Sequence, residues 1–156
     1  MRPPVNCIAL RLVILTLPAV WMSGAHAALG GDAASISLDA ALLHGQLQPL
    51  APLPGAAVLI STDNGIIIHE FLDTGGTVYA VSWSGPAVPD IRALLGGYFG
   101  QYASALKSLP HAGRQRAVHL MTADLVVDTA GHLRAYSGRA YLPAAVPAAV
   151  SLESLR

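Results

Sequence analysis

Short apolar runs and tight polar breaks alternate through the middle of the chain. Residues 56–62, 66–72 and 77–83 are rich in β-branched and aromatic side chains and predict three strands. Asn64-Gly65 between the first two is a hairpin pair, because a two-residue turn favours positive φ at both positions. Pairing Asp73 with Gly76 across the next turn sets Ile68 opposite Val81, His69 opposite Ala80 and Glu70 opposite Tyr79. A last hairpin is predicted from 117–128 and 132–142 about Thr129-Ala130-Gly131, with Val127 facing Leu133 and Leu125 facing Ala135. Its other face gathers Asp124, Asp128, His132 and Arg134.

The period changes between these hairpins. Ile91, Leu94, Leu95, Tyr98, Tyr102, Ala105 and Leu106 form one stripe at helical spacing. The spacing predicts a helix over 89–107, started by Pro89 and Asp90 and interrupted by Gly96, Gly97 and Gly100. Close approach to a sheet and a helix kink are the two accounts of those glycines. Ile36, Ala40 and Leu43 predict a shorter helix capped by Ser35. Pro49, Pro52 and Pro54 make 46–55 read as an extended connector. The expected fold is α+β: an antiparallel sheet of four to five strands, one long helix across it and a short N-terminal helix.

Composition sets the compartment. Arg2 and Arg11 precede an apolar run over 12–21, and Ser23-Gly24-Ala25-His26-Ala27 follows with small residues. That is the order of a secretory signal peptide cut after Ala27. The run is shorter than the roughly twenty residues of a membrane span, so no transmembrane anchor is expected after cleavage. Cutting there removes the only cysteine, Cys7, so neither a disulfide nor thiol chemistry belongs to the expected single domain, 28–143. Seven basic residues then remain against nine acidic ones with no basic run, which argues against nucleic acid as a partner. The alanine- and proline-rich tail, 144–156, is expected to be loosely attached.

One set of segments is shared with a known family. Ala28-Leu29-Gly30-Gly31, the run from Val78 through Trp83-Ser84-Gly85-Pro86, Pro89-Asp90-Ile91-Arg92, Tyr98-Phe99 and Gly138-Arg139-Ala140-Tyr141-Leu142-Pro143 carry the likeness. In these the chain resembles the proteobacterial secreted proteins catalogued as domain of unknown function 2844. The resemblance implies an exported single-domain protein, and it implies no activity.

The residues offer little catalytic chemistry. His69-Glu70 begins like a zinc-protease motif, but position 73 is aspartate and the segment reads as strand, so no metal and no cofactor are expected. No serine sits in a nucleophile elbow, although Ser84 before Gly85-Pro86 is placed at a strand-to-helix turn. The leading expectation is a non-catalytic binding or accessory protein of the cell envelope, periplasmic or extracellular. Its surface would be Trp83, Ser84, Pro86 and Phe99 with Asp124, His132 and Arg134 of the last hairpin. A small hydrolase using Ser84 or His132, and an envelope structural component, are the alternatives.

Overall fold

A computed structural model describes residues 29–53, 55–109 and 116–155; the expected signal segment lies outside them. Seven antiparallel strands form one sheet in the order β1-β2-β3-β4-β7-β6-β5. The first meander is β1 (Gly45–Leu53), β2 (Gly55–Thr62), β3 (Ile67–Leu72) and β4 (Val78–Gly85). The second is β5 (Ala117–Met121), β6 (Val126–His132) and β7 (Ala135–Tyr141), with β7 set against β4. The fold is therefore α+β with an antiparallel sheet, but with seven strands rather than four to five.

Two misreadings account for the extra strands. The proline segment is β1, an edge strand, the part of a sheet where proline is tolerated. The expected strand over 117–128 is two strands, divided where Thr122 turns the chain. Its N–H bonds the Leu125 carbonyl, and the Leu125 N–H donates to its hydroxyl at 3.1 Å.

The registers move as well. Ile68 lies opposite Trp83 and Glu70 opposite Val81, two residues from the expected pairing. Asp73 is the cause: its Oδ1 accepts from the N–H of Gly75 and of Thr77, both at 2.8 Å, which widens the loop, and a bulge follows at Leu72. In the last hairpin the turn is Leu133-Arg134, with Arg134 at φ +64°, and Asp128 lies opposite Arg139. Gly131 is inside β6 instead of at the turn, because a Cβ there would overlap the Tyr136 ring.

Helices cover one face. α1 (Ile36–Leu42) follows a 3₁₀ turn capped by Asp32, not Ser35; the Asp32 carboxylate accepts from the Ser35 N–H at 3.0 Å. The expected long helix is α2 (Ile91–Leu95), a 3₁₀ turn over Gly96–Tyr98, and α3 (Phe99–Ser108). Gly96 at φ +48° makes the break, while Gly97 and Gly100 have open space around them, so the kink rather than close approach explains the glycines. Asp90 caps α2 by accepting from the Arg92 and Ala93 N–H groups. Beneath them Ile60, Ile68, Val81, Trp83, Val127 and Ala140 pack with Leu94 and Leu95 into the main core. Leu29 belongs to that core too, its N–H bonded to the Leu94 carbonyl, so the start of the domain is pinned and not flexible.

The opposite face has its own cover. Phe71, Tyr79, Val126 and Tyr141 pack against Val146, Val150 and Leu155 of the C-terminal segment. Leu155 is 1% exposed, so the tail expected to hang loosely closes half of this face instead.

Candidate functional site

The uncovered half of that face carries one polar row. Cross-strand partners in an antiparallel sheet place their side chains on the same side. His69 of β3 faces Ser82 of β4, Ser82 faces Arg139 of β7, Arg139 faces Asp128 of β6, and Asp128 faces His119 of β5. Their neighbours Ile68, Val81, Ala140, Val127 and Leu120 all point into the helix-side core. The row thus crosses five strands, and it floors a groove of about 640 Å³ with Leu155 in its wall. That volume suits a small-molecule ligand.

Asp128 organises one end. Its Oδ1 lies 2.5 Å from His119 Nδ1, and its Oδ2 accepts from Arg139 Nε at 2.8 Å. Partial burial pushes its carboxyl up. The hydrogen bonds from His119 and Arg139 and their charge outweigh that push, leaving it below the ordinary carboxylate range. Arg139 also donates from Nη1 to the Leu152 carbonyl, which ties the tail to the row. Ser82 is 3% exposed, and its hydroxyl has no hydrogen-bond partner among the described residues.

A second acid lies on the other side of the sheet. Glu70 is fully buried under α1, near Asp39 of that helix. Desolvation first, and the Asp39 charge second, push its carboxyl up to about 8. It is a core residue, set opposite Val81 rather than the expected Tyr79. Strand alternation splits His69 from Glu70, one to each face.

The surface expected from the sequence is divided among three places. Ser84, Pro86, His132 and Arg134 do line one shallow cleft of about 630 Å³, where the end of β4 meets the last hairpin turn, and Ser84 lines the larger groove as well. Trp83 is 4% exposed, its side chain in the main core, and it reaches the larger groove only as part of its floor. Phe99 is half-buried against the same core, with the Arg92 guanidinium 4.6 Å from its ring centre and Tyr102 beside it. Asp124 sits in the β5–β6 turn, at the opposite end of β6 from His132. The groove residues His69, Ser82, His119 and Arg139 were not among the expected ones. Only the correct register of the strands brings them together.

A family model described as protein of unknown function (DUF2844) matches residues 25–155. The chain belongs to that family. No curated protein and no solved structure matches it. The DUF2844 span runs through all seven strands and ends on Leu155, so it includes the tail that closes half of the open face. No helix among the described residues of this DUF2844 chain is long and apolar enough to cross a membrane.

Proposed function

We propose that the protein is exported, cut after Ala27, and acts in the cell envelope as a non-catalytic binding protein that holds its ligand in the groove over the polar row. The observation that carries this reading is the half-covered sheet face. The chain seals one half with its own tail and leaves the other open over a groove of about 640 Å³ floored by hydrogen-bonding side chains. The groove's acceptor, Asp128, is consumed in holding His119 and Arg139 in place, as expected of a rigid recognition surface.

The hydrolase alternative draws support from Ser84 and His132 lining the same cleft. Against it, no hydrogen bond joins them among the described residues, and Asp124 is too far along β6 to orient the histidine. Two readouts on the full-length protein expressed in its host test the proposal. N-terminal sequencing of the exported form is expected to begin at Ala28, and a fluorophosphonate probe is expected to leave Ser84 unlabelled. Cytoplasmic retention of an uncut chain, or stoichiometric labelling of Ser84, would overturn it.

A further inference from the structure

Donors and acceptors along the polar row do not balance. Asp128 supplies the carboxylate, and both of its oxygens are engaged, one by His119 and one by Arg139. Arg139 uses Nε for Asp128 and Nη1 for the Leu152 carbonyl, and its Nη2 has no acceptor among the described residues. Next to it in register is Ser82, a groove-lining residue 3% exposed, whose buried hydroxyl is without a partner among those residues. A guanidinium has five donor protons in a fixed plane and no acceptor, and a hydroxyl, which can donate or accept, can turn its proton to the same acceptor. A buried polar group left unpaired is costly, so a ligand atom that pairs with this hydroxyl would be favoured at the groove floor. The missing chemistry is an acceptor, and beside a fixed guanidinium the best acceptor is a carboxylate.

The rest of the groove is mixed, with Ser84, Thr129 and Ser137 lining it beside apolar side chains. Ile67, Ala117, Ala130 and Leu155 line it around the row, and its volume of about 640 Å³ is that of a small ligand rather than a protein surface. From the unpaired Ser82 hydroxyl beside Arg139 on the groove floor, we infer that the groove binds a small organic acid, with its carboxylate on Arg139 and Ser82 and its apolar body against Ile67, Ala130 and Leu155. This rests on the groove being the binding site.

Calorimetric titration of the purified protein with octanoate, octan-1-ol and octylammonium tests it. Octanoate is expected to bind saturably, and the alcohol and amine at least about tenfold more weakly. Ser82→Ala and Arg139→Gln are each expected to weaken octanoate several-fold. If Arg139→Gln fails to fold, Ser82→Ala carries the test, since it removes only an unpaired hydroxyl. Equal binding of octanol, preference for the amine, or octanoate affinity unchanged in Ser82→Ala would overturn the acid assignment while leaving the groove as a site. Tighter binding of an acetylated tetrapeptide ending in a free leucine carboxylate would overturn it in favour of a peptide terminus. If none of the probes binds, the inference fails, and the groove itself is judged separately by what co-purifies with it.

Discussion

Trp83 lies across Gly138. The two are directly paired between β4 and β7, and a Cβ on Gly138 would overlap the indole ring and crowd the Asp128 carbonyl at 2.8 Å. The glycine leaves a flat seat on the central strand, and the indole fills it on the helix side of the sheet. Trp83 has nowhere to retreat, being 4% exposed in the main core. Gly138→Ala is expected to destabilise the domain by about 1–3 kcal/mol, as overpacking does. Urea unfolding monitored by Trp83 fluorescence measures it, and an unchanged midpoint would mean the indole is not seated there.

Glu70 makes stability depend on pH in the alkaline direction. Its folded value is raised from the ordinary 4.5 to about 8. For a carboxyl shifted upward, stability is complete below the unfolded value and is lost as pH rises toward the folded one. The loss approaches ~1.4 kcal/mol per pH unit between those limits. Glu70→Gln removes that slope, so the variant is expected to overtake the wild type as the pH is raised from 5 to 8. Melting temperatures across that range check it; parallel curves would show that Glu70 folds ionised.

Leu155 closes the second core although it stands next to the end of the chain. It is 1% exposed and packs with Phe71, Tyr79 and Tyr141. Leu155→Ala is expected to cost about 2 kcal/mol, at the lower end for a buried leucine. Hydrogen exchange read by mass spectrometry should show the loss first in the tail. Exchange unchanged from wild type would contradict the docking of the tail.

The two sheet edges are protected differently. β1 carries Pro49 and Pro52, and prolines on an edge blunt strand addition. Replacing both with threonine restores two backbone N–H donors to a strand that already exposes Leu47 and Leu50. The double variant is expected to self-associate on size-exclusion chromatography at concentrations where the wild type elutes unchanged.

How much of this was legible depended on how local each feature is. β2, β3 and β4 were readable because their β-branched runs are bounded by Asn64-Gly65 and Asp73. Asp90 announced α2 because a cap acts within three residues. β1 was hidden by its prolines, which are as much at home on an edge strand as in a connector. Gly131 misled because a glycine seated under the Tyr136 ring looks the same in sequence as a glycine in a turn. That single misplacement put Asp128 beside His132 instead of Arg139. The row from His69 to His119 follows from four strand pairings, one of them joining β4 to a strand more than fifty residues later in the chain, and no spacing within one segment encodes that.

The central claim is that the open groove is where this protein holds its ligand. Native mass spectrometry of the protein purified from its own envelope fraction tests it most directly, run beside Ala130→Trp. Ala130 is exposed on the groove wall, so the indole would fill the space without disturbing the core. The account predicts a bound small-molecule mass on the wild type that is lost from Ala130→Trp. An adduct that survives Ala130→Trp unchanged, or a wild type that carries none, would contradict it.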